Sequence, residues 1–139
     1  MAEYLNNNKF TAAIIAYRSA VEADAERRLR RKNCPELPAL TVAKAELWGM
    51  INLLCDRLWQ AKRTYRLDRD DAVQDAMIHA IEKLPNFDPA KGKAFVWFTT
   101  VILNFYRAEF NRRKDYQLRL ERIWLSQQQH QGRKVRLDE

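Results

Sequence analysis

Apolar residues recur along this chain of 139 residues at steps of three and four, and no segment alternates strictly between apolar and polar positions as a half-buried strand does. Only three Gly and four Pro interrupt the pattern. The pattern predicts an all-α fold, a compact bundle of about four helices forming a single domain over residues 1–125. We expect helices over residues 8–31, 41–65, 70–84 and 94–125, and a flexible polar tail over residues 126–139.

The first two helices each show one apolar stripe and a plausible N-cap residue. Asn8 and Thr41 are the expected caps. The stripe of the first helix comprises Phe10, Ile14, Tyr17 and Val21, and that of the second comprises Leu47, Ile51, Leu54, Leu58 and Ala61. These stripes predict the faces that build the core.

The third helix carries an acidic face opposite its apolar stripe. That face comprises Asp71, Gln74, Asp75, Ile78 and Glu82. DNA would repel such a strip, so on a chain of net charge +7 it points to a basic protein surface, with Ile78 as an apolar anchor. A solvated face that balances Arg66 and Arg69 accounts for the same acids, and this helix alone favours that simpler reading.

The fourth helix has apolar residues around nearly its whole circumference, more than a protein of this size can bury. If Thr99, Leu103, Tyr106 and Phe110 face inward, a second surface remains. It consists of Trp97, Phe98, Val101 and Phe105, flanked by Lys91, Lys93, Arg107, Arg112 and Arg113. Aromatic rings among cations suit single-stranded nucleic acid, whose bases stack on the rings. Core packing together with an interface to a second copy or a partner helix fits the pattern about as well.

Composition narrows the class of function. The net charge of +7 favours a polyanion, with nucleic acid ahead of an anionic membrane. Cys34 and Cys55 form no CxxC pair, and with only His79 and His130 besides we expect no zinc site, haem or other cofactor. We find no signal peptide, no membrane span and no nucleophile–base constellation, so we expect a cytoplasmic protein that is not an enzyme.

Three sequence elements at fixed spacing carry a family resemblance. An acid-rich helix is followed by the pattern F-D-x-x-K-G-x-x-F and then by an aromatic segment. The matching positions are Asp71, Gln74 and Asp75, then Phe87, Asp88, Lys91, Gly92 and Phe95, then Phe98 and Thr100. Together they resemble region 2 of the sigma-70 family. The asparagine-rich start NNNKF, the N-F-D loop at residues 86–88 and the step from Thr99 to Asn104 resemble the small late-transcription sigma factors of T4-like bacteriophages.

The resemblance implies a sigma factor, acting in the cytoplasm of a phage-infected bacterium, that directs core RNA polymerase to −10-like promoter elements and helps melt the DNA, here for phage late genes. The acidic face of Asp71, Gln74, Asp75, Ile78 and Glu82 would bind the coiled-coil of the largest polymerase subunit. The residues implied at the DNA are Lys91, Lys93, Phe95, Trp97, Phe98, Val101, Ile102, Phe105, Arg112 and Arg113.

Particular roles follow for the aromatic residues of this set. Phe98 stands where the family places a tyrosine that stacks on the first flipped adenine, and Phe95 and Trp97 would line the same opening. Phe105 lies where the family reads the upstream edge of the −10 element, usually with glutamine. The family's paired tryptophans, which wedge the duplex fork, are Val101 and Ile102 here.

The 139 residues hold no helix-turn-helix domain for a −35 element, so we expect a short −10-like promoter and a further partner such as a phage coactivator or a sliding clamp. The hydrophobic tail that binds the clamp in the T4-like group is not matched by GRKVRLDE, so that contact is not transferred. Two alternatives remain open. One is a helical adaptor or regulator that binds polymerase without reading promoter DNA. The other is a generic helical nucleic-acid-binding protein that uses the runs ERRLRRK and RRK.

Overall fold

Four α-helices joined by short connections form the described chain. The computed structural model describes the backbone of residues 6–137 and the side chains of residues 6–131. The helices are α1 (Asn7–Arg30), α2 (Pro38–Ala61), α3 (Arg69–Lys83) and α4 (Ala94–Leu137). Short 3-10 turns occupy Arg63–Tyr65 and Leu84–Asn86. No strand occurs in the part of the chain that is described, and the predicted all-α class of about four helices is confirmed.

The helix starts differ from the predicted ones because other residues provide the caps. The Asn6 side chain, rather than that of Asn8, caps α1 and accepts a hydrogen bond from the Asn8 N–H at 2.8 Å. Helix α2 begins at Pro38, a residue suited to a first turn because that turn needs no donor. The Thr41 hydroxyl, predicted as its cap, instead donates to the Glu36 carboxylate at 2.8 Å.

Contacts divide the described chain into two units, one ending at Tyr106 and one beginning at Arg107. In the first unit α1 packs on α2, and α2 packs on α3. Large side chains from α1, α2 and α4 fill the core. The buried residues of α3 are alanines, and its larger Val73, Met77 and Ile81 are half-buried and pack against that core. The fully buried large residues are Phe10, Ile14, Leu47, Ile51, Cys55, Phe98, Ile102 and Tyr106, and the alanines are Ala72, Ala76 and Ala80.

The second unit is the part of α4 that follows Tyr106. Every described side chain from residue 111 to residue 131 is exposed. The helix continues to Leu137, so the predicted helix end at residue 125 is wrong. The segment lacks Pro and is rich in Gln, Arg and Leu, which have good helix propensity, and a single Gly132 does not stop it. The flexibility of the tail and the single domain over residues 1–125 stay predictions.

Candidate functional site

The acidic face of α3 lies in the solvent. All five of its predicted members, Asp71, Gln74, Asp75, Ile78 and Glu82, are exposed. Ile78 exposes 48 % of its surface, so this face also offers an apolar side chain. The helix is oriented this way because the alanines of its other side are buried. At its start, the Asp68 side chain accepts the Asp71 N–H at 3.2 Å.

A groove of about 910 Å³ lies beside this face, lined mainly by residues of α2 and α3. Gln74 of the acidic face lines it, together with half-buried apolar residues that include Met50, Val73 and Met77. An ion pair between Arg69 Nε and Asp56 Oδ1, at 2.7 Å, joins the two helices there. The sequence could not predict this groove because it is formed jointly by two helices.

The buried stripe of α4 is not the one expected from the sequence. Ala94, Phe98, Ile102 and Tyr106 follow one another at steps of four and are almost completely buried. The inward placement of Tyr106 is confirmed. The placement of Phe98 and Ile102 on a DNA-facing surface is wrong, because both have no exposed surface. Phe98 stacks on Phe10 of α1, with 4.7 Å between the ring centroids.

The other predicted aromatic and aliphatic contacts on α4 are only half-buried. They are Phe95, Trp97, Val101 and Phe105. Trp97 packs edge-on against Phe98 at 4.8 Å and lies 5.3 Å from Phe87, so one side of its ring is used by the core. Phe105 stacks on His79 of α3 at 5.0 Å. Part of each side chain remains accessible, which distinguishes these four from Phe98.

The predicted cations near α4 lie in the solvent, two in each unit. Lys91 and Lys93 are exposed in the connection before the helix. Arg112 and Arg113 are exposed in the second unit, where Arg112 Nη2 pairs with Glu109 Oε2 at 2.7 Å. In the first unit Val96 exposes 58 % of its surface, and the sequence pattern did not single it out.

Helix α1 holds the connection that carries Lys91 and Lys93. The Arg18 guanidinium donates hydrogen bonds to the carbonyl oxygen of Phe87 and, at 3.0 Å, to that of Leu84. Its Cζ atom lies 5.9 Å from the centroid of the Phe87 ring. At the start of α4, the Asn7 side chain accepts the Phe95 N–H at 3.1 Å. Sequence reasoning missed Arg18 and Asn7 because their partners lie 66 to 88 residues away.

The F-D-x-x-K-G-x-x-F pattern therefore has a structural reason. Phe87 is buried and anchors the connection, with only 3 % of its surface exposed. The Asp88 carboxylate accepts the Ala90 N–H at 2.9 Å and forms a local turn. This arrangement leaves Lys91 in the solvent.

The buried polar groups of the bundle serve packing. The Tyr106 hydroxyl donates to the Cys55 carbonyl oxygen at 2.8 Å. Burial raises the pKa of the Cys55 thiol to about 12 and also raises the pKa of Tyr106, so both stay protonated at neutral pH.

Within residues 6–131, no three His, Cys, Asp or Glu side chains are grouped in a way that could hold a metal ion. None of the helices described is long and apolar enough to cross a membrane.

Comparison with known proteins gives one finding. Residues 54–115, a little under half of the chain, match the family model Sigma-70 region 2. The matched segment runs from the end of α2 through α3 to Asp115 of α4, so it contains the acidic face and the loop of Lys91, whereas α1 lies outside it. Searches of curated proteins and of solved structures find no match. The match supports a sigma-70 region 2 domain and a sigma-factor-like role in RNA polymerase binding and promoter recognition.

Proposed function

We propose that this protein is a sigma factor that binds bacterial core RNA polymerase, directs it to −10-like promoter elements and helps to melt the DNA. The observation that carries the proposal is the exposed acidic face of α3, which lies within the segment that matches Sigma-70 region 2. A chain of net charge +7 has no electrostatic reason to place acids toward DNA, so this face suits a basic protein surface.

Docking on polymerase combines charge with an apolar anchor. Asp71, Asp75 and Glu82 would steer and orient a basic partner, here the coiled-coil of the largest subunit. Ile78, with about half its surface exposed, would become buried on binding and fix the contact. The neighbouring groove offers Met77 and Val73 as further apolar surface. Acids around apolar side chains are the pattern of a protein interface with a polar rim.

Core binding tests this surface directly. Asp71→Asn with Asp75→Asn removes two charges from the face and keeps the side-chain shape. We expect the Kd for core polymerase to rise about tenfold, equivalent to about 1.4 kcal/mol. The matched control, Glu22→Gln with Glu121→Gln, removes two exposed charges outside α3 and should leave the Kd within about twofold. Equal effects in the two variants, or no effect in either, would contradict the docking face.

The proposed DNA-binding surface leaves out Phe98 and Ile102, because both are buried. Trp97 and Phe95 are the aromatic rings on which a flipped base would stack, with Lys91 and Lys93 on the backbone phosphates. Val101 and Phe105 extend the half-buried apolar surface along α4. In the second unit, Arg112 and Arg113 would add phosphate contacts. One base stacked on an aromatic ring contributes roughly 1–3 kcal/mol, enough to matter for the stability of the open promoter.

Promoter opening tests the role of Trp97. We expect Trp97→Leu to reduce permanganate reactivity of the −10 thymines about tenfold, since that corresponds to about 1.4 kcal/mol of lost stacking. Trp124→Leu, a change of an exposed residue in the second unit, is the control and should open the promoter like the wild type. Circular dichroism checks that both variants fold. A folded Trp97→Leu protein with wild-type opening would refute the role.

Because Phe98 and Ile102 are buried, a second hypothesis is also retained, that of a polymerase-binding adaptor. A helical adaptor that binds polymerase without reading promoter DNA needs the acidic face and no stacking surface. The same two experiments separate the proposals, because an adaptor binds core polymerase through α3 but opens no promoter.

The finer proposal is late transcription in a T4-like bacteriophage, from short −10-like promoters and with a phage coactivator. It is supported by the resemblance of the asparagine-rich start and the N-F-D loop to those of the T4-like late sigma factors. Both segments have a structural role in this protein, because Asn7 caps the start of α4 and the buried Phe87 anchors the connection before it. Initiation should then depend on the −10-like element and not on the −35 sequence. Initiation that required a −35 element would contradict it.

A further inference from the structure

A strongly basic segment lies at the C-terminal end of α1, outside the surfaces assigned in the proposed function. Residues 27–32 contain five cations, Arg27, Arg28, Arg30, Arg31 and Lys32, and no acid. The segment lies outside residues 54–115, the part of the chain that matches Sigma-70 region 2.

Three of these arginines face one concavity. Arg27 and Arg30 lie three residues apart in the last turn of α1, on one side of the helix, and Arg31 directly follows the helix. With Ala23 and Glu26 they line a shallow concavity of about 350 Å³. Leu29, which exposes 86 % of its surface, is not part of this lining.

The concavity keeps one carboxylate, that of the exposed Glu26, against its three arginines, and the next nearest carboxylates are engaged elsewhere. Asp24 is buried, pairs with Arg28 at 3.0 Å and accepts the Leu37 N–H at 3.2 Å. Glu36 accepts hydrogen bonds from Lys44 and Thr41, which lower the pKa of its carboxyl group. Among the residues described, no ion pair joins a carboxylate to Arg30, Arg31 or Lys32. The end of a helix carries about half a negative charge, which offsets only a fraction of this excess.

We propose that Arg27, Arg30 and Arg31 bind backbone phosphates of duplex DNA, in a contact independent of base sequence. Arginine suits this ligand because its planar guanidinium group can donate two parallel hydrogen bonds to a phosphate. The concavity offers no large apolar side chain, which a protein partner or a membrane would need as an anchor. The choice of DNA as the source of the phosphate rests on the proposed function.

The salt dependence of binding tests the proposal on the full-length chain. The fluorescence anisotropy of a labelled duplex of arbitrary sequence gives the Kd at several salt concentrations. Each phosphate contact contributes about 0.9 to the slope of log K against log salt, so Arg30→Gln with Arg31→Gln should lower the slope by about 1.8. The control, Arg63→Gln with Lys83→Gln, removes the same net charge from exposed positions outside the concavity. It should lower the slope by less than about 0.5.

Several results would overturn the inference. Equal slopes in the two variants would mean that only net charge matters. Absence of duplex binding by the wild type would also refute it. The inference would also fail if the Arg30→Gln, Arg31→Gln variant kept its affinity for duplex DNA and lost affinity only for RNA or for inorganic phosphate.

Failure of this inference is distinguishable from failure of the proposed function. If the Arg30/Arg31 variant behaves like its control while the wild type still binds core polymerase and opens promoters, the patch is refuted alone. If the slopes differ as expected but the wild type neither binds core nor opens promoters, the proposed function fails and the duplex contact stands.

Discussion

Replacement of Arg18 tests how the bundle holds the connection between α3 and α4. Arg18→Met keeps the length of the side chain but removes the hydrogen bonds to the carbonyl oxygens of Leu84 and Phe87 and the contact with the Phe87 ring. Two charge-assisted hydrogen bonds at a half-buried site contribute about 1 kcal/mol each, and the cation–π contact adds about 0.5 kcal/mol. We therefore expect Arg18→Met to lower the free energy of unfolding by about 2–3 kcal/mol.

Urea denaturation followed by circular dichroism measures this change, and an unchanged m value confirms that the unfolding reaction is the same. Arg18→Lys keeps the charge but not the forked donor, so it should lose about half as much. Arg30→Met removes an exposed arginine from the same helix and should stay within about 0.5 kcal/mol of the wild type. An Arg18→Met protein as stable as the Arg30→Met control would mean that Arg18 does not stabilise the connection.

Three further predictions concern other contacts of the bundle. Asn7→Ala should cost about 1 kcal/mol in the same urea assay because α4 loses the cap on its Phe95 N–H, whereas Asn7→Asp should retain most of the stability; equal losses would argue against a cap. Tyr106→Phe should also cost about 1 kcal/mol, since the buried Cys55 carbonyl loses its donor, and an unchanged stability would mean that this bond contributes nothing. Burial raises the pKa of the Cys55 thiol from its ordinary 9.0 to about 12, so the contribution of the protonated thiol to stability is complete below pH 9.0 and is lost as the pH rises toward 12. Cys55→Ala should therefore flatten the plot of Tm against pH between these values. Parallel plots for the variant and the wild type would contradict this role of Cys55.

The sequence predicted the number and type of helices because their apolar stripes are long and their breakers are few. Phe10, Ile14, Leu47 and Ile51 are buried as expected. The helix ends were less predictable, since each cap is a choice among neighbouring polar residues. Asn6 rather than Asn8 caps α1, and Pro38 rather than Thr41 opens α2.

The two candidate surfaces differed in how well the sequence could predict them. On α3 one side is acidic and the other is alanine-rich, so only one orientation is favourable, and all five predicted residues are exposed. On α4 apolar residues surround the helix, so periodicity could not choose the buried side. Phe10 stacks on Phe98, and Cys55 accepts a hydrogen bond from Tyr106, and these distant partners fix the orientation.

The most direct test of the account is initiation on a linear promoter that carries only a −10-like element, by core polymerase supplied with the full chain. Permanganate footprinting reports whether the thymines of the element become unpaired. We predict reactivity that requires both core and this protein and is strongly reduced by Asp71→Asn with Asp75→Asn, but not by Glu22→Gln with Glu121→Gln. A chain that binds core polymerase while the promoter stays double-stranded would contradict the sigma-factor assignment.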